Sequence, residues 1–165
     1  MKKKLAIITV HFGPGKNLKR TIDSVDEQSV KPDLHLIVAK KINNFNINLH
    51  SKRYRKFIIG RDKSLWDAMN IGINKTRKYF VLFLNSGDYI HSRNSVKTVK
   101  KSILKNNCNF SFKTNLQYNN LIFTPKNRYF KKKKYRPHPS FVRAPINTYK
   151  TNYFNLENLI DADGE

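Results

Sequence analysis

The chain predicts an α/β fold built on a mixed, mostly parallel sheet flanked by helices, and two adjoining segments carry that prediction. Tyr79-Phe80-Val81-Leu82-Phe83-Leu84 is an unbroken apolar, β-rich run. A strand of this kind is buried on both faces, as strands in parallel α/β sheets are. Just before it, Ser64 is placed to cap a helix over 64–75. Asp67 completes the capping-box spacing, and Leu65, Met69 and Ile73 recur at i, i+4 and i+8 as one apolar stripe. With a strand near 56–59 and the charged turn after it, the order is strand, turn, helix, strand, a βαβ unit.

The remaining elements follow in chain order. A first strand is expected at 5–10. Met1-Lys2-Lys3-Lys4 before it resembles the start of a signal peptide, but the apolar run is too short and Gly13-Pro14-Gly15 follows. A helix over 17–28, a strand over 34–39 and a helix over 93–105 complete the regular part. Phe110-Ser111-Phe112-Lys113 and Leu121-Ile122-Phe123-Thr124 flank Asn119-Asn120 and read as a hairpin. A basic and aromatic loop over 126–136 runs into the rigid Pro137-His138-Pro139, and 146–165 is read as a short helix or coil. At 165 residues the chain is expected to form one domain over 1–165, burying about two-thirds of its unfolded surface. Cys108 is the single cysteine, so no internal disulfide forms and a reducing cytoplasm is the expected compartment. No stretch is long enough to cross a bilayer.

The formal net charge is +22, from 33 basic and 11 acidic residues. Three readings compete. A lysine-rich solvated surface fits a chain also rich in Asn, Ile and Phe. An anionic membrane leaflet would attract it by roughly 1 kcal/mol per basic residue near the surface. Nucleic acid would attract it through phosphate, and the aromatic residues interleaved with basic ones over 126–136 resemble single-strand binders.

Position singles out Asp88. A carboxylate just past the carboxyl end of a buried parallel strand sits where open α/β sheets bind ligands. The bland alternative is an Asx turn closing the strand.

The segment Arg61-Asp62-Lys63-Ser64-Leu65-Trp66-Asp67-Ala68-Met69-Asn70-Ile71-Gly72-Ile73, with Phe83-Leu84-Asn85-Ser86-Gly87-Asp88 after it, resembles the nucleotide-sugar domain of family 2 glycosyltransferases of the GT-A fold. The nearest subgroup is the bacterial enzymes of surface-polysaccharide and lipopolysaccharide synthesis. Leu5 to Phe12 and Arg20-Thr21-Ile22-Asp23-Ser24-Val25 resemble that family's first strand and helix, so the likeness covers nearly the whole chain.

The resemblance implies an inverting, metal-dependent transferase that moves a sugar from a nucleotide-sugar, most readily a UDP-sugar, to a glycan or lipid-linked acceptor. Asp88 would hold Mn²⁺ or Mg²⁺, for which carboxylate and phosphate oxygens are suitable ligands, and His138 would be a second contact to metal or diphosphate. Outside the resemblance His138 is a loop residue between prolines. Thr9, Val10 and Phe12 at the first strand's end, Asp62, Asp67 and Asn70 around the helix start, and Ser86 and Gly87 of the turn would contact the nucleotide-sugar. Asp67 is equally explained by capping and the helix dipole. The general base would be Asp163, in an Ala162-Asp163 context, with Asp161 and Glu165 as neighbours that could take the role. Such a base contributes about 10²- to 10⁴-fold.

The sequence departs from the family in three places. Ile37-Val38-Ala39-Lys40-Lys41 lacks the acid that usually follows the second strand, Asn85 and Gly87 stand where carboxylates often do, and the chain ends at Glu165 where relatives continue into acceptor-side helices. The expected location is cytoplasmic, peripheral on the inner face of the plasma membrane. Two other functions remain open: a basic nucleic-acid-binding module, and a catalytically reduced relative that binds a partner enzyme.

Overall fold

The computed structural model describes residues 3–13, 15–40, 46, 50–60, 64–105, 110–111, 116–118, 121–123 and 141–145. Its apolar runs become strands β1 (Leu5–His11), β2 (Leu34–Ala39), β3 (Arg55–Ile59) and β4 (Phe80–Phe83), interleaved with helices α1 (Gly15–Asp26), α2 (Leu65–Lys75) and α3 (Ser95–Lys105). Four further strands follow: β5 (Phe110–Ser111), β6 (Leu116–Tyr118), β7 (Leu121–Phe123) and β8 (Phe141–Arg143). The main sheet has the order β3-β2-β1-β4-β8-β5. Its first four strands are mutually parallel, and β8 runs antiparallel to β4 and β5. The fold is α/β with a mixed, mostly parallel sheet, as expected.

Side-chain alternation along the strands divides the core into two layers. Ile8, Val10, Leu36, Val38, Val81 and Phe83 pack against Trp66, Ala68, Met69 and Ile73 of α2. On the opposite face Leu5, Ile7, Phe80 and Leu82 meet Val25 of α1 and Val96, Val99 and Ile103 of α3, while Leu18 and Ile22 of α1 cover Ile37. Helices on both faces explain why β1 and β4 read as continuous apolar runs. The α2 layer is tight: a Cβ on Gly72 would stand 2.7 Å from Ile8 Cγ2. Ser64 caps α2 as expected, its side chain accepting from the Asp67 amide.

The α1 face also holds a buried polar network. Arg55 Nε lies 3.2 Å from His35 Nδ1. Because arginine only donates, Nδ1 accepts and the ring proton sits on Nε2, which donates to Thr9 Oγ1 at 2.9 Å. Arg55 also pairs with Asp26, which accepts from the Tyr54 hydroxyl as well. Burial, reinforced by the charge of Arg55 and opposed by Asp26, pushes the His35 pKa down to about 3, so the ring is neutral. Burial alone would raise Asp26, but hydrogen bonds from Arg55 and Tyr54 outweigh it and hold the carboxyl below its usual range.

The hairpin differs from expectation. β7 pairs with Leu116–Tyr118, not with 110–113, and Tyr118 stands opposite Leu121. Two intervening residues are the length a tight hairpin needs, and no such loop joins 113 to 121. Phe110–Ser111 instead joins the main sheet beside β8, a strand the sequence did not announce. The 126–136 loop, Pro137-His138-Pro139 and 146–165 lie outside the described residues.

Candidate functional site

The sheet order fixes where a ligand can sit. The chain leaves β1 through α1 toward β2 and β3, then returns through α2 to β4 on the other side of β1. The strand order therefore reverses between β1 and β4. The carboxyl end of that strand pair is the switch point where open α/β sheets bind ligands.

Beyond β4 the chain stays tied to β1. Leu84 N–H donates to Ile8 O at 2.9 Å and Ser86 N–H to Val10 O at 3.1 Å. The 85–88 turn is closed by Asp88 N–H to Asn85 O at 3.0 Å, with Gly87 at φ +103°. Asp88 thus sits at the switch point.

Helix α1 grips this turn with side chains that sequence reasoning passed over. Thr21 is fully buried. Its Oγ1 accepts from Gly87 N–H at 2.9 Å and donates to Asp88 O at 2.7 Å. Further along the helix, Ser24 Oγ accepts from Ile90 N–H at 3.1 Å. Gln28 Oε1 accepts from Val96 N–H, and its Nε2 donates to Ser92 O. The signal was available: polar residues at 21 and 24 recur at helical spacing beside Leu18, Ile22 and Val25, on the buried face of the helix.

His11 is a second residue that went unassigned. It is fully buried, and its Nδ1 lies 2.8 Å from Ser86 Oγ. Burial favours the neutral ring and lowers its pKa, against a hydrogen bond to the Gly13 backbone that raises it. Among the described residues, His11 Nε2 and Asn85 Oδ1 are buried without a hydrogen-bond partner.

Asp88 is exposed as a residue. Loss of hydration at its carboxyl still pushes the pKa above the usual carboxylate range, against the Asn85 backbone hydrogen bond and the charge of Arg20. The Arg20 guanidinium lies over the Tyr89 ring, 4.2 Å from its centroid. The edge therefore presents a carboxylate, a cation and an aromatic ring together.

The nucleotide candidates separate. Ser86, Gly87 and Asp88 share the turn, where Ser86 Oγ is engaged by His11 and Gly87 N–H by Thr21. The Thr9 side chain is spent on His35 and Val10 is core, so Phe12, 44% exposed, is the side chain β1 presents at this edge. Asp67 is half-buried in the first turn of α2 and Asn70 is buried one turn later. Since β3 runs parallel to β1 and leads into α2, that helix begins at the same edge. Asp62, His138 and Asp163 lie outside the described residues.

The donor set can be compared with a divalent cation. Among the described residues no three His, Cys, Asp or Glu come together as a metal cluster. Asp88 does offer one carboxylate, and the unpartnered Asn85 Oδ1 is a second oxygen on the same turn. That fits a hard ion such as Mg²⁺, which keeps several waters and is held by one or two carboxylates together with substrate phosphates.

No family model and no curated protein matches the chain. Solved structures do. Residues 1–349 of the S. aureus glycosyltransferase TarS align with a TM-score of 0.52 and 18% identity over 62% of this chain and 32% of that one. The same TarS region in complex with UDP-GlcNAc aligns with the same score and identity, over 62% and 31%. The chain thus spans about a third of the length of these neighbours. At this identity the likeness is one of fold.

Proposed function

We propose that the chain is a nucleotide-sugar-dependent glycosyltransferase domain acting in the synthesis of a bacterial cell-surface polymer. The observation that carries this reading is the place of Asp88, on a turn held from both β1 and α1 at the switch point of a GT-A-type sheet. The shared fold adds support, because one TarS structure was solved with UDP-GlcNAc. In this reading the nucleoside of a UDP-sugar lies along the carboxyl edge between Phe12 and the start of α2, with Asp62, Asp67 and Asn70 near it. Its diphosphate lies by the 85–88 turn.

Asp88, with Asn85 Oδ1 beside it, would hold Mg²⁺ or Mn²⁺, with His138 as a further contact. Bound there, the ion offsets the charge that develops on the departing diphosphate. Asp163 takes the proton of the acceptor hydroxyl. The acceptor oxygen then forms its bond to the anomeric carbon as the bond to the diphosphate oxygen breaks, with inversion. The acceptor is a glycan or a lipid-linked sugar. Among the described residues no helix is long and apolar enough to cross a membrane. Peripheral contact with an anionic leaflet would draw on the +22 charge, which would serve any anionic partner equally.

Thermal denaturation tests the reading. A ligand present at about a hundred times its Kd stabilises by about 2.7 kcal/mol. UDP with Mn²⁺ should therefore raise the Tm of the parent by several degrees and leave that of Asp88→Ala unmoved. An equal rise in both proteins would remove Asp88 from the site.

A further inference from the structure

Asp88 itself is held by little packing. Gly87, beside it, has nothing within 4 Å of where a Cβ would stand, and its backbone is left-handed at φ +103°. The turn is fixed by hydrogen bonds instead: His11 bonds the Ser86 hydroxyl, and Thr21 bonds the backbone of Gly87 and Asp88. We propose that Thr21 is the positioning residue of the donor site: its hydroxyl, held between the Gly87 amide and the Asp88 carbonyl, sets where the Asp88 carboxylate points. The proposal rests on the reading of Asp88 given above.

Three observations carry it. First, the anchor is rigid: Thr21 is fully buried, and Leu18, Ile22 and Val25 of the same helix are fully buried in the core. Second, the link needs a hydroxyl, since one atom must accept from Gly87 at 2.9 Å and donate to Asp88 O at 2.7 Å. Valine matches threonine in shape but does neither, whereas serine does both. Third, the hydroxyl has a local alternative, back-bonding to Asn17 O within the helix, yet its shortest contact is to the turn. It lies 2.7 Å from Asp88 O, against 3.3 Å from Asn17 O and 3.4 Å from Asn85 O. With the Asp88 backbone fixed, only its own side-chain torsions separate the carboxylate from the core.

The test compares the parent with Thr21→Val, Thr21→Ser and Asp88→Ala by two readouts. One is amide hydrogen exchange at Gly87 in the ligand-free protein. The other is affinity for UDP with and without Mn²⁺. Losing one buried hydrogen bond is typically worth about tenfold. Thr21→Val should speed Gly87 exchange and weaken UDP binding in the presence of Mn²⁺ by about that factor, while leaving metal-free UDP binding unchanged. Thr21→Ser should restore both. A Gly87 amide that exchanges freely in the parent overturns the proposal, a result that requires no variant to fold. So does a Thr21→Val effect on UDP of the same size with and without Mn²⁺, which would mark a general structural role. If Asp88→Ala binds UDP and Mn²⁺ as the parent does, the donor-site reading fails and the donor role of Thr21 with it. The exchange rates at Gly87 then identify the failure as one of Asp88's assignment and not of Thr21's hold on the turn.

Discussion

His35 lies under the strand ends with no access to solvent, and its neutrality has a consequence for stability. Its folded pKa of about 3 is below the ordinary 6.5. The unfolded chain therefore binds a proton that the folded chain refuses. The stabilisation is complete above about pH 6.5 and is lost progressively as pH falls toward 3. The slope reaches about 1.4 kcal/mol per pH unit. His11, also lowered by burial, acts in the same sense, and Asp26 adds to the loss below its own ordinary value. Urea midpoints at pH 7, 5.5 and 4.5 should fall in that order. In His35→Gln the slope should shrink, because a glutamine oxygen can accept from Arg55 while its NH₂ donates to Thr9. A parent midpoint independent of pH across that interval would contradict the assignment of a neutral buried ring.

Among the elements, α2 and α1 hold the sheet by opposite means. Helix α2 packs by apolar contact, closely enough at Gly72 that a Cβ would meet Ile8 Cγ2 at 2.7 Å and Cδ1 at 3.2 Å. In an open helix Gly→Ala gains up to about 1 kcal/mol. Here overpacking a fully buried, β-branched neighbour reverses the sign, and Gly72→Ala should destabilise by about 1–3 kcal/mol in equilibrium denaturation. A stabilised variant would mean that Ile8 can move aside. Helix α1 and the residues just after it add polar bonds to its apolar packing, through Thr21, Ser24 and Gln28, which reach the backbone from Gly87 to Val96. Apolar periodicity exposed α2 and its Ser64 cap in the sequence, because burial and local capping are both written into neighbouring residues. It could not expose the work of α1, because the partners of Thr21 are 66 and 67 residues away. The same limit hid β8. Phe141–Arg143 is a strand because β4 and β5 pair with it, a tertiary fact that three residues cannot announce.

Taken whole, the molecule brings its chemistry to one edge. The parallel strands β1, β3 and β4 all run toward it, and that direction was legible from the strand–helix–strand order. Asp88, Phe12 and the start of α2 all lie on that side of the sheet for this topological reason, although they are far apart in sequence. Side-chain direction within the edge was not legible. Thr9 and Val10 belong to strand positions whose side chains the helices cover, so proximity to the edge does not make them available. The charge of +22 is a property of the whole chain and does not choose among partners. In the proposed function, the edge between β1 and β4 binds a nucleotide-sugar. The most direct measurement is a titration of UDP-GlcNAc with Mg²⁺ into ¹⁵N-labelled protein, followed by amide shifts. Saturable shifts are expected at residues 85–88, Phe12 and the first turn of α2, with little change at Tyr54 and Arg55. Absence of saturable shifts, or shifts confined to residues away from this edge, would contradict it.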